Sequence, residues 1–126
     1  MKNLSCFLFV AVACAGMVLF SAGCGAGKPP KEIAAGDIPT ESQNLFAKAT
    51  PELRELAGKA LSALEAQDWA AAWVAFQALG ERKDLTTEQR QFVASAVMTV
   101  GAEMQKASAQ GDERAQAIQR MHSSSK

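Results

Sequence analysis

Apolar residues follow two regimes along this chain: a nearly unbroken run at the amino end, then helical spacing over most of the rest. The run is Leu4 to Phe20 (LSCFLFVAVACAGMVLF). Further on, Leu53, Leu56, Ala57, Ala60, Leu61 and Leu64 recur three and four apart, which predicts a helix with one apolar stripe. Thr50-Pro51-Glu52 predicts its start, with a capping hydroxyl, a proline at the first helical position and an acid near the positive end of the dipole. Asp68 is placed to cap a second helix whose stripe is Trp69, Ala72, Trp73, Phe76 and Leu79. Thr86 to Gln89 (TTEQ) matches a capping box and opens a third, with Val93, Ala96, Val97, Val100, Met104 and Ala107 in register. Gly111-Asp112 breaks the chain before a weaker fourth stretch around Ala115, Ile118 and Met121. A short helix from Glu41 to about Ala49 precedes these, using Leu45 and Phe46. No segment alternates with period two. The predicted fold is therefore all-α, a small antiparallel helical hairpin or bundle of about four helices. Its predicted core includes Leu56, Ala60, Trp69, Ala72, Trp73, Phe76, Leu79, Val93 and Val97.

The amino-terminal run has the three parts of an export signal: Lys2, the apolar stretch, and the small residues Ser21, Ala22 and Gly23 before Cys24. A peptidase cleft takes an extended, narrow substrate, so small side chains before the cut are a physical requirement. The stretch resembles the lipobox of bacterial lipoproteins, in which a small-small-Cys run marks cleavage and the cysteine thiol receives a diacylglycerol. That resemblance implies that residues 1–23 are a cleaved signal and that Cys24 is the lipidated first residue of the mature protein. It departs from the family at Ser21, where leucine is usual, with Leu19 and Phe20 lying further out. Two alternatives stay open. Leu4 to Phe20 is at the short edge of what spans a bilayer as an uncleaved anchor, and Ser21 and Gly23 also suit an ordinary signal peptidase. Cysteine usage favours lipidation. Cys6, Cys14 and Cys24 all lie in or at the end of the signal, so an exported product has no disulfide and one thiol, which the lipid consumes. Gly25, rather than aspartate, resembles the outer-membrane destination in enterobacterial sorting. The expected location is the cell envelope, anchored by lipid and facing the periplasm, in the outer membrane rather than the inner.

Charge narrows the partners. The chain carries 13 basic and 13 acidic side chains, and losing the signal removes only Lys2. There is no basic field for nucleic acid. Lys28 and Lys31 are too few to hold anionic head groups, so membrane residence depends on the lipid. Residues 25–39 (GAGKPPKEIAAGDIP) are rich in glycine and proline without an apolar period and read as a flexible tether. The predicted organisation is thus a signal at 1–23, a lipidated cysteine and tether at 24–39, a helical module at 40–122 and a disordered tail at 123–126.

The turn between the first two main helices carries a second resemblance. In ALEAQDWAAAWVAFQAL, the Asp68-Trp69 pair followed by Ala72, Phe76 and Leu79 resembles the turn and second helix of a tetratricopeptide repeat. The small residue implies close helix approach, with Phe76 filling the gap beside it. Lys59 stands where that family has a leucine, and Asp84 where it has its closing proline. A weak internal echo aligns Thr50 with Thr86, Glu52 with Glu88, Arg54 with Arg90, Leu56 with Phe92 and Leu61 with Val97, while Asp68 meets Asp112 only at a longer spacing. A generic four-helix bundle explains the same residues. The repeat analogy implies a partner-binding face on the first helix at Arg54, Leu61 and Glu65. With about two hairpins, the helices must close on themselves, dimerise or offer an apolar face to a partner.

Leu85 to Gln89 (LTTEQ) also fits the LTxxQ motif and so resembles periplasmic envelope-stress chaperones, which carry two copies where this chain has one. Capping, with Leu85 as a hydrophobic staple, accounts for the same residues.

Catalytic chemistry finds little footing. His122 is the only histidine and sits near the end, where an exposed, idle imidazole is expected. Met98, Met104 and Met121 occupy positions compatible with packing. Glu52, Glu55, Asp112 and Glu113 fall in first turns, where the helix dipole explains them. No catalytic residue, metal site, cofactor or small-molecule substrate is expected. The sequence points instead to a lipid-anchored, non-catalytic module that binds a protein partner or itself, the alternative being an LTxxQ-like chaperone.

Overall fold

The computed structural model describes residues 29–125, which form five helices and, among the described residues, no strand. The fold is all-α. The segment read as a signal, Cys24 and the first part of the expected tether lie outside the described residues, as does Lys126 at the other end.

Helix α1 runs Ile38–Phe46, three residues earlier than expected at each end. Pro39 tolerates the first turn, where its missing N–H has no partner to lose, and Pro51 then forces Thr50 into extended backbone and ends the segment. Helix α2 (Pro51–Glu65) opens with the Thr50 hydroxyl accepting the Leu53 N–H, and α3 (Trp69–Gly80) with the Asp68 carboxylate accepting the Ala71 N–H at 3.0 Å. Helix α4 (Thr87–Ala109) has the full capping box: Thr86 accepts from the Gln89 N–H while the Gln89 side chain accepts the Thr86 N–H. Helix α5 (Glu113–Ser124) starts on Asp112 and continues through two of the serines expected to be disordered, so the module extends beyond 122.

The two interhelical turns, α2 to α3 and α4 to α5, share one construction. Gln67 and Gly111 each adopt positive φ, at 56° and 98°. The next N–H, of Asp68 or Asp112, then reaches back to the Ala63 or Ala107 carbonyl at 3.0 Å in both cases, and the same aspartate caps the following helix. The echo seen in the sequence is therefore a repeated hairpin of unequal length, with a first helix of 15 residues in one and 23 in the other. The longer α4 explains why Asp68 and Asp112 drift out of phase.

Helix α3 lies between α2 and α4, α1 packs on α2 and α4, and α5 folds back on α4 and α3. Ala72 and Phe76 are fully buried, and Phe76 meets Phe92 edge-on, which in turn meets Phe46 of α1. Ala60, Leu79 and Val93 are buried with them. Leu56, Trp69, Trp73 and Val97 are only half-buried and pack at the margin of this cluster. The tryptophans stand at the seam with a second, smaller cluster of Ala70, Met104 and Ala115 that holds α5. Trp73 fits there because Gly101 lets it approach: a Cβ at that glycine would come within 3.3 Å of the indole nitrogen.

Three further expectations are corrected. Residues 33–39 are not free tether: Ile33 and Ile38 are buried in the core, and the Thr99 hydroxyl donates to the Ile33 carbonyl at 2.7 Å. A turn closed by the Asp37 N–H on the Ala34 carbonyl aims both isoleucines inward, so two isolated apolar residues suffice without a period. Met98 and Met121 are exposed, because each faces away from the stripe its helix buries, whereas Met104 is in the core. His122 is exposed but not idle, with its ring edge-on to Trp73 at 5.3 Å.

Truncating Phe76 removes the centre of the aromatic chain. Phe76→Ala should cost about 3–5 kcal/mol, lowering the melting temperature by more than about 10 °C, whereas exposed Gln105→Ala should leave it nearly unchanged. Equal melting of the two variants would refute this core.

Candidate interaction surface

Helix α3 (WAAAWVAFQALG) contains no charged residue, and Gln77 is its one strongly polar side chain. A helix apolar all round needs cover all round. At about 100° per residue, Ala72, Phe76 and Leu79 turn toward the main core, and Ala70 with the tryptophans toward the α5 cluster. The third side, Ala71, Val74 and Ala78, is exposed, with Ala75 at its margin half-buried against the main core. It forms the floor of a groove of about 550 Å³, with Leu56 and Lys59 of α2 on one wall and Arg114, Ala117 and Ile118 of α5 on the other. Val74 projects from this floor at 47% exposure.

The groove's charges are matched within the chain. Arg114 donates to the Asp68 carboxylate at 2.7 Å, tying the start of α5 to the start of α3. Lys59 sits 2.8 Å from Glu55 one turn earlier; its hydrogen bond first, and its charge second, hold the Glu55 carboxyl below the usual carboxylate range. The patch is therefore apolar and electrically neutral at physiological pH.

The face expected to bind a partner lies elsewhere on α2. Arg54 and Glu65 are exposed and Leu61 half-buried, and the three share one flank of the helix. Leu56 and Lys59 line the opposite flank, where the groove opens. Sequence periodicity missed the groove because it assigned Leu56 to the core and read α3 only for its stripe. The visible signal was the lack of any charge between Trp69 and Gly80.

The LTTEQ segment is consumed by the architecture. Leu85 is buried, and Gln89, also buried, uses both ends of its amide: Oε1 accepts the Thr86 N–H, and Nε2 donates to the Leu45 carbonyl of α1 at 3.0 Å. Among the described residues, no three His, Cys, Asp or Glu side chains gather as a metal cluster, and no helix is long and apolar enough to cross a membrane.

Comparison with known proteins finds no matching family model, no matching curated protein and no matching solved structure.

Gln89 thus joins α1 to the start of α4, and the two bonds are separable. Gln89→Glu keeps an acceptor for the Thr86 N–H but loses the donor to Leu45, placing a carboxylate beside a carbonyl. Amide exchange should quicken in α1 and stay slow in α3, with a loss of about 1–3 kcal/mol. Uniform exchange across both helices would show that Gln89 is not the link.

Proposed function

We propose that the chain is a lipid-anchored envelope protein whose helical module binds a protein partner without catalysis. The observation that carries the binding part is the open side of α3: Ala71, Val74 and Ala78 face solvent on a helix with no charge, between two apolar walls. Small side chains let a partner helix approach closely, and Leu56 and Ile118 bound its path. The repeated hairpin construction supports a repeat-like module that leaves part of its apolar surface for another chain. The involvement of Leu85 and Gln89 in capping and packing favours a defined interface over a broad client shield. The anchoring part rests on the signal pattern ending at Cys24.

A photo-crosslinking residue at Val74, introduced in the native cell, should trap a protein, and one at Met98, also exposed but remote from the groove, should not. The anchor has its own test. Cys24→Ser should leave an unprocessed precursor and abolish partition into detergent, while the native mature protein should lack residues 1–23 and carry acyl chains by intact mass. A soluble form beginning at Cys24 or Gly25 without lipid would refute the anchor.

A further inference from the structure

We infer that residues 33–46, the turn from Ile33 to Asp37 together with α1, form a releasable strap that lifts as one unit from a body of α2 to α5. Buried polar side chains mark its seam. Among the described residues they are Ser42, Gln89 and Ser95. Ser42 lies on the buried stripe of α1, between Ile38 and Phe46. Gln89 donates to the Leu45 carbonyl of the same helix. Ser95 stands one turn before Thr99, which holds the Ile33 carbonyl, and so lies on the side of α4 that the strap covers. All three therefore gather where strap meets body, whereas Ala60, Ala72, Phe76, Leu79 and Val93 close the body by apolar contact. Permanent contacts resemble a domain core, and separable ones are more polar.

The strap is also held lightly. Ser42 Oγ is buried without a hydrogen-bond partner, the one such side-chain atom among the described residues. A lone hydroxyl costs free energy while the seam is closed and regains its hydration when the seam opens. Of the five helices, α1 alone has no side-chain cap, and its nine residues make it the shortest. An isolated helix of that length is marginal in water, so α1 owes its form to the seam. It packs on α2 and α4 but not on α3 or α5. When it leaves, the body keeps both hairpins, their aspartate caps and the Arg114–Asp68 pair. The ring of Phe92 loses Phe46 and keeps Phe76. Opening also lengthens the chain's reach, a consequence that rests on the proposed anchor at Cys24. The closed strap leaves residues 24–33 as the leash, and the open one extends it to Thr50, about 90 Å at full extension. Tension on the anchor therefore favours the open form.

Native-state hydrogen exchange on the full-length chain, as purified, tests the strap. The amides of Ser42 to Phe46 should exchange together, at least about tenfold faster than those of Phe76 and Leu79 in α3. Ser42→Ala removes the unpaired hydroxyl and should slow exchange in α1 about fivefold or more, leaving α3 unchanged. Thr99→Val cannot donate to the Ile33 carbonyl and should speed α1 about fivefold, again leaving α3 unchanged. Equal exchange of α1 and α3 in the unaltered chain would mean that α1 opens only with the whole fold, and would overturn the strap. Substitutions that shift both helices equally, or neither, would overturn it too. None of these readouts needs a lipid. Loss of the Cys24 anchor would remove the change of reach and leave the strap standing.

Discussion

The structure is organised by the need to cover one helix that cannot face water. Helix α3 has apolar side chains on every side, and each neighbour answers a different part of its circumference. The α2 and α4 helices close on Ala72, Phe76 and Leu79, and α1 reaches the same cluster through Phe46. Helix α5 returns to cover Ala70 and the tryptophan seam. Five helices of this length supply cover for two sides, and the third remains open. In a small domain, where little surface can be buried per residue, such a remainder is costly unless another surface meets it.

The turns make this arrangement reproducible. In both hairpins a residue in the left-handed region reverses the chain, and an aspartate ends one helix and begins the next. Glycine takes that conformation freely at position 111. At position 67 a glutamine holds it against the steric preference of an L-residue. The Arg114–Asp68 ion pair then joins the two turns, so the cap of α3 also positions α5. An exposed ion pair contributes little stability; here its consequence is geometric, since it fixes the mouth of the groove.

Much of this fold was legible in the sequence, for identifiable reasons. Caps and stripes are local, so Thr50, Asp68 and Thr86 marked three helix starts and the Gly111-Asp112 break a fourth, although Asp112 proves to be the cap and not a first-turn residue, and Phe76, Leu79 and Val93 were recognisable as core. Packing partners are not local. Nothing near Ile33 shows that Thr99, far along the chain, will hold its carbonyl, and nothing near His122 shows that Trp73 will meet its ring. The groove is not local either. Arg54, Leu61 and Glu65 follow from analogy with one kind of repeat and lie on the other flank of α2, whereas the groove depends on how far α5 spreads from α2, which no single helix encodes.

For a chain anchored at Cys24, as proposed, the docking of Ile33 also changes how the module relates to the membrane. If residues 25–39 were free, a lipid at Cys24 would leave the helices to wander about 50 Å from the head groups at full extension. Pinning Ile33 against α4 leaves only the residues between Cys24 and Ile33 as connection, a reach of about 30 Å at most. That distance is comparable to the size of the module itself. On that proposal, a shorter leash confines the module to a thinner layer beside the membrane.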